Sequence, residues 1–245
     1  NSILLGKEAG RYVSGSANVM LGFNAGKGNT IQATTATMTN VYSNVGVGPY
    51  ALLRLGAGMN NTVAVGAGAG QYTTGSLNTF VGANAGYGGT TSAPYSSGEQ
   101  NVAIGFEALK SFTTGTKLTV VGYKAGYSTT TGTTNQYFGY QAGYHNTTGT
   151  SNVAIGYNSQ FGASGQTTGR YNVSLGENSL TALTTGNHNF AVGSNAGLSL
   201  TTGEHNVIIG SAAGDALTTT SNSVMIGRSA GSAINSADAN GTVLI

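Results

Sequence analysis

The sequence predicts an all-β protein whose chain winds into a parallel β-solenoid with coils of about 17 residues. Two observations predict it. A glycine that ends a short apolar run recurs every 17 residues from Gly105 to Gly156 and again from Gly176 to Gly227. The residues on both sides of that glycine repeat with it, as in Asn-Val-Ala-Ile-Gly at 101–105 and 152–156. A repeat of this length is typical of solenoids.

The composition excludes several other classes of protein. Only 7% of the residues are charged and 41 of 245 are glycine, with 2 prolines, which fits neither an ordinary globule nor a proline-rich linker. The glycines do not fall at every third position, so the chain is not collagen-like. The nine Lys and Arg residues are scattered, which argues against a nucleic-acid partner. No apolar run approaches the length of a membrane-spanning helix, so membrane insertion is not predicted.

We call the recurring glycine of each coil the anchor glycine. Thirteen anchors and a truncated repeat at 242–245 predict about fourteen coils in a single domain, 1–245, with anchor spacings of 16 to 26 residues outside the regular stretches. At the spacing of β-strands the coils would make a rod of roughly 65 Å, which we expect to be a segment of a longer fibre. The anchors are Gly6, Gly22, Gly48, Gly66, Gly82, Gly105, Gly122, Gly139, Gly156, Gly176, Gly193, Gly210 and Gly227.

Each anchor glycine ends a predicted three-residue strand. Its first and third residues, such as Val102 and Ile104, alternate onto one face, which we expect to line the interior of the coil. The middle residue, such as Ala103 or Val120, is then expected to face outward, yet it is apolar too. Strands that are apolar on both faces are buried on both faces, so we expect identical chains to pack together about a long axis.

The rest of the coil is equally regular. Three residues after each anchor the side chain is small, as at Ala125 and Ser159, which predicts a tightly closed wall on a second short strand. The coil then turns at Thr-Thr-Gly, where glycine is expected because of a positive φ or a close backbone approach. An asparagine four residues before most anchors would form a hydrogen-bonded ladder from coil to coil. Its members include Asn101, Asn135, Asn152, Asn172, Asn189 and Asn206.

The repeat resembles two known kinds of sequence. Asn-Val-Ala-Ile-Gly, followed by a small residue and a turn ending in glycine, resembles the head repeat of trimeric autotransporter adhesins. The longer pattern Asn-x-x-Ile/Val-Gly-x-x-Ala-Gly with Thr-Thr-Gly is similar to the repeats of phage tail-fibre and related surface-fibre proteins. The resemblance covers the whole chain, although the 17-residue coil is longer than that of the adhesin head. It implies a left-handed parallel β-roll, three chains around one axis, and adhesion to a surface.

The candidate ligand-binding residues are aromatic. Insertions at 30–42, 87–98 and 161–169 interrupt the period and are expected to form loops, and Tyr95 in the second stands among hydroxyl-bearing residues. Two aromatic columns would stack from coil to coil, either as a platform for sugar rings or as a brace between coils. The first column holds Phe106, Tyr123, Tyr140 and Tyr157, and the second holds Tyr127, Tyr144 and Phe161.

The sequence offers no pattern typical of a metal or catalytic site. His188 and His205 occupy one column a coil apart, but we predict neither a metal nor a cofactor there. The seven Asp and Glu residues place no two in one column on adjacent coils, which disfavours a glycosidase with paired carboxylates. The absence of cysteine excludes disulfides and thiolate metal sites and fits an extracellular location.

These features favour a non-enzymatic fibrous protein of the cell surface or of a virion. It would form a rod and present loops for attachment, with further copies of itself, as a homotrimer, and host or cell-surface glycans as partners. An alternative is a structural subunit that polymerises end to end into an extracellular filament, since open coils leave strand edges unpaired. A polysaccharide-degrading spike is a third hypothesis, which the scarce carboxylates disfavour.

Overall fold

The computed structural model describes residues 1–28, 40–91, 95–163, 167–234 and 240–245. Within these ranges every regular element is a β-strand, and fourteen parallel strands in sequence order form a β-solenoid of about 13 turns. The predicted all-β parallel solenoid with a spacing of about 17 residues is therefore confirmed. The chain divides into two compact units, Asn1–Val121 and Gly122–Ile245, which are described in turn.

In the first unit each strand pairs in parallel with the next, and equivalent repeat positions face each other. Val63 faces Thr79 and Val65 faces Val81, for example. Each strand begins with a β-branched residue, which strands favour, and is short because a glycine follows its third residue and, in most coils, an asparagine precedes its first. They are β1 Ile3–Leu5, β2 Val19–Leu21, β3 Val45–Val47, β4 Val63–Val65, β5 Thr79–Val81, β6 Val102–Ile104 and β7 Thr119–Val121.

The second unit has the same architecture with a more regular period. Val173 faces Phe190 and Phe190 faces Val207, so successive partners are 17 residues apart in the sequence. Its strands are β8 Gln136–Phe138, β9 Val153–Ile155, β10 Val173–Leu175, β11 Phe190–Val192, β12 Val207–Ile209, β13 Val224–Ile226 and β14 Val243–Leu244.

The predicted orientation of the strands is wrong. From β2 to β13 the middle residue is buried, whereas the residues on either side of it are half-buried or exposed. Ala103 and Ala154 have no exposed surface, while Ile104 and Ile155 are 39% and 43% exposed. The first and third residues of these strands therefore lie on the outer face of the sheet, because the narrow interior takes only one side chain per strand.

From Ala25 to Ala213 the small-residue column is buried, as expected, but it does not lie on a second strand. Ala142 sits in a turn, where its N–H donates to the carbonyl of anchor Gly139 at 3.4 Å. A further core column was not foreseen in the sequence. In the second unit Leu183, Leu200 and Leu217, each directly before a Thr-Thr pair, pack in one buried cluster with the middle strand residues.

The glycines of the coil are required by close contact between backbones. Anchor Gly193 has φ +133, and a Cβ there would lie 2.5 Å from the carbonyl oxygen of Gly210 in the next coil. At the Thr-Thr-Gly corner a Cβ on Gly186 would lie 2.4 Å from the carbonyl oxygen of Gly203. The corner glycine Gly186 does not have a positive φ, so close approach is the reason that applies there.

Candidate functional site

The asparagine column forms a chain of buried hydrogen bonds. In the second unit the amide oxygen of Asn135 accepts from the backbone N–H of Asn152 at 2.9 Å and from its side-chain amide at 3.2 Å. Asn152 bonds Asn172 in the same way. In the first unit the amide oxygen of Asn101 accepts from the backbone N–H of Leu118 at 3.0 Å, and the leucine side chain has no amide group that could donate a second bond. The column therefore holds the coils together and lies away from solvent.

Tyr95 does not stand on an exposed loop. Its side chain is 7% exposed and stacks on Tyr72 with ring centroids 6.1 Å apart, and the guanidinium carbon of Arg54 lies 6.0 Å from its centroid. Tyr87 meets Tyr72 edge-on at 5.0 Å. Burial, and then a hydrogen bond with Tyr72, raises the pKa of Tyr87 to about 12. Tyr95 is therefore buried, and it forms a cluster with the half-buried rings of Tyr72 and Tyr87.

Much of the three insertions lies outside the described residues. Residues 29–39 of the first insertion region, 92–94 of the second and 164–166 of the third fall in that category. In the second insertion the hydroxyl of Ser96 donates to the carbonyl of Phe112 at 2.7 Å, and its backbone forms a bridge with Thr73. The end of this insertion is therefore attached to the neighbouring coil.

The first aromatic column is a stack of parallel rings. Tyr140 lies between Tyr123 and Tyr157 with centroids 5.0 Å apart on each side and interplanar angles of 9° and 8°. The three side chains are 40 to 50% exposed. Because both faces of Tyr140 are covered by its neighbours, a ligand that approaches the middle of the stack meets ring edges and hydroxyl groups.

The second aromatic column is equally parallel and is extended by a histidine. Tyr144 stacks on Tyr127 at 5.0 Å and on Phe161 at 5.2 Å. His145 meets the edges of Tyr144 and Phe161 at 4.6 and 4.9 Å, and burial lowers the pKa of its imidazole. The Nζ of Lys124 lies 5.7 Å from the Tyr127 centroid, so this column combines aromatic rings with one positive charge.

A surface depression lies where no site was predicted. It is an open groove of about 610 Å³ in the second unit. Three columns of side chains line it: Thr168 and Thr185 at the corner; then Arg170, Asn187 and Glu204; then Tyr171, His188 and His205. His188 lies parallel to Tyr171 and to His205, each 4.8 Å away between centroids.

The backbone explains why these rings point outward. Tyr171, His188 and His205 each precede a buried ladder asparagine and have φ between 55° and 58°. The same position has a positive φ at Ser151 and Asn222 as well, so it is a fixed corner of the coil. A residue in this left-handed conformation sits at a sharp turn. The variable column is therefore presented at the surface by a constant framework.

Several charged groups are engaged in ion pairs. Glu8 contacts Arg11 and lies 2.5 Å from the Nζ of Lys27, and Glu107 lies 2.5 Å from the Nζ of Lys110. The hydrogen bond from Lys27 is the main cause that lowers the pKa of Glu8. No group of three or more His, Cys, Asp or Glu side chains that could hold a metal ion occurs among the described residues.

Comparison with models of protein families, with curated proteins and with solved structures finds no match for this chain. The resemblance to adhesin-head and tail-fibre repeats therefore stays a prediction. In the part of the chain that the structure describes, no helix is long and apolar enough to cross a membrane.

Proposed function

We propose that this chain is a non-enzymatic fibrous attachment protein of a cell surface or virion, and that it assembles as a homotrimer through the outer face of its strands. The observation that carries the proposal is the exposure of apolar side chains at the first and third positions of the strands. Ile104 in the first unit and Ile155 in the second are 39% and 43% exposed, and Phe190 is 40% exposed.

The form of this apolar surface supports assembly. In the second unit the sheet has seven parallel strands, and almost every strand presents two apolar side chains on the outer face. At the usual strand spacing this makes an apolar strip about 30 Å long. Soluble monomers rarely expose so continuous an apolar surface, and parallel sheets are normally covered on both faces. Identical strips on three chains could cover one another.

The exposed aromatic columns support attachment. The hydroxyl groups and ring edges of Tyr123, Tyr140 and Tyr157 repeat at 5.0 Å between neighbouring centroids, so a chain-like ligand would meet the same groups at each coil. Tyrosine combines a rigid apolar ring with a polar tip, which suits the recognition of sugars. Binding of a chain-like ligand along a regular, repeated surface is the reason for proposing a non-enzymatic role.

Assembly is tested by sedimentation equilibrium and light scattering on the purified chain. We expect a mass of three chains at neutral pH. The double variant Ile155→Lys, Phe190→Lys places charges in the strip and should give folded monomers, with an unchanged circular dichroism spectrum. The matched control, Thr131→Lys with Ser211→Lys, adds the same charge at exposed positions elsewhere and should stay trimeric.

The other outcomes separate the alternatives. Filaments of growing length and constant width in electron micrographs would favour an end-to-end polymer over a trimer. A wild-type monomer at micromolar concentration would overturn assembly through the strip.

Attachment is tested on a glycan array. Replacing Tyr123, Tyr140 and Tyr157 together with serine should abolish the binding signal of the wild-type chain. Release of reducing ends from a capsular polysaccharide would contradict the non-enzymatic role.

A further inference from the structure

The groove between Thr168 and His205 differs from the rest of the surface in its density of polar groups. Its lining contains a guanidinium, a carboxylate, an amide, two imidazoles and two threonine hydroxyls, together with the ring of Tyr171. These groups come from three successive coils of the second unit. A chain with only 7% charged residues thus places a cation and an anion in one groove.

The cation of the groove is available for a ligand. Among the described residues, no carboxylate or carbonyl pairs with the guanidinium of Arg170. The backbone N–H of this residue donates to the amide oxygen of Asn187 at 2.9 Å, and its carbonyl accepts from the backbone N–H of His188 at 3.0 Å. The side chain of Arg170 is exposed. Because guanidinium binds carboxylates with two parallel hydrogen bonds, this end of the groove suits a carboxylate.

The opposite end of the groove has the opposite charge. Glu204 occupies the column of Arg170 two coils further on, about 10 Å away at the usual strand spacing. One oxygen of Glu204 accepts from the side-chain amide of Asn187 at 2.7 Å, and its other oxygen faces no donor among the described residues. A ligand with hydroxyl donors at this end and a carboxylate at the other would match both charges.

The middle of the groove favours hydroxyl groups over apolar groups. No hydrogen bond is formed by the ring nitrogens of His188 or His205 within the described residues. Both faces of His188 are covered, by Tyr171 and by His205, so this ring presents only its edge. Thr168 and Thr185, which carry hydroxyl groups, line the groove as well. Groups that both donate and accept at each coil suit the hydroxyls of successive sugar rings.

We propose that this groove binds an acidic saccharide, with a sugar carboxylate on Arg170 and the hydroxyls of the following sugar along His188 and His205 to Glu204. The proposal rests on the attachment role proposed above, for which it names a ligand class. Arg170 supplies the charge-assisted contact, and the ring column sets the direction of the sugar chain.

The test is a calorimetric or NMR titration of the full chain with two acidic saccharides, trigalacturonate and sialyllactose. Each is compared with its own methyl ester, which keeps the sugar and removes the charge. We expect at least one acid to bind about tenfold or more tightly than its ester, and Arg170→Gln to abolish that preference. Arg228→Gln removes an equal charge from an exposed position outside the groove and should bind as the wild type does.

A second variant separates the sugar contact from simple charge attraction. His205→Asn keeps a residue that tolerates the positive φ and shortens the side chain, and it should weaken the acid and the ester alike. Three results would each overturn the proposal for this groove. They are equal affinities of the wild type for acid and ester, no detectable binding of either acid, and equal losses of affinity in Arg170→Gln and Arg228→Gln. If the trimer binds a glycan array through its tyrosines but binds neither acidic saccharide in these titrations, the proposal for the groove is wrong and the attachment role is unaffected.

Discussion

The side-chain amide oxygen of Asn172 accepts two hydrogen bonds from Asn189, one from its backbone N–H at 2.9 Å and one from its side-chain amide at 3.1 Å. The same side-chain amide of Asn189 donates to the carbonyl of Gly203 at 2.8 Å. Both asparagines are buried, with 0% and 1% exposed surface. One amide therefore joins three successive coils in a place that water does not reach.

Replacing this amide distinguishes a hydrogen-bonded ladder from simple packing. We expect Asn189→Asp to lower the free energy of unfolding by about 3 kcal/mol or more, because its carboxylate would face two carbonyl-type acceptors in the interior. Asn189→Ser keeps a small donor, as Ser223 does in the same column, and should cost about 1–2 kcal/mol. Urea unfolding followed by circular dichroism measures both. Equal losses would contradict the role of the donor.

Tyr137 makes the stability of the second unit depend on pH in the alkaline range. Its side chain is fully buried, and its hydroxyl accepts a hydrogen bond from the side-chain amide of Asn146. Burial raises the pKa of Tyr137 above its ordinary value of 10.0. The unfolded chain then loses this proton at a lower pH than the folded chain. Stability is complete below pH 10 and falls as pH rises above it.

The variant Tyr137→Phe tests this linkage. At pH 7 it should lower the free energy of unfolding by about 1–2 kcal/mol, because Asn146 loses its partner. Above pH 10 its stability should fall less steeply than that of the wild type, since the buried phenol is gone. Tyr140→Phe removes a phenol from an exposed position and is the matched control. Identical alkaline slopes for wild type and Tyr137→Phe would contradict the assignment.

The sequence contained the period, the pairing and the parallel register, because the same residue types recur at equivalent positions and equivalent positions pair. It did not contain the orientation of the strands. In Val153–Ile155 all three residues are apolar, so alternation does not tell the inner face from the outer one. The deciding quantity is the width of the coil, which depends on turns such as that at Ala142 and on contacts that exist only after closure.

The groove could not be predicted from the sequence, for a different reason. Arg170, Asn187 and Glu204 occupy one column of the repeat, but their side chains are of three different chemical types. No repeated motif therefore identifies the column in the sequence. Their proximity follows from the stacking of coils and from the positive φ of the residue after each of them. The aromatic columns were visible because Tyr123, Tyr140 and Tyr157 repeat one residue type. That their ring faces are mutually covered required the side-chain geometry.

His145 gives the same unit a sensitivity to acid. Its ring meets the edges of Tyr144 and Phe161, and burial lowers its pKa below the ordinary value of 6.5. The unfolded chain takes up a proton at a higher pH than the folded chain, so this contribution to stability is present above pH 6.5 and is lost as pH falls below it. His145→Gln should flatten the decline between pH 7 and pH 5.

Thermal unfolding at half-unit intervals of pH measures that slope. Thr131→Gln, at an exposed position of the same unit, introduces the same side chain without removing a titratable group and should keep the wild-type slope. A His145→Gln variant that declines as steeply as the wild type would show that another group carries the acid sensitivity.

The anchor glycines allow strain and crowding to be measured separately. Gly193 and Gly227 have similar conformations, φ +133 and φ +125. A Cβ on Gly193 would overlap the backbone of Gly210, whereas a Cβ on Gly227 would have only Ala230, at 4.0 Å, within reach among the described residues. Gly227→Ala should therefore cost about 1–3 kcal/mol from the positive φ alone. Gly193→Ala adds an overlap that only a backbone shift can relieve, and should cost at least about 2 kcal/mol more. The free energies of unfolding of the two variants, measured in urea, distinguish strain from crowding. Equal losses of stability would mean that the backbone conformation, and not the contact between coils, requires glycine at the anchor.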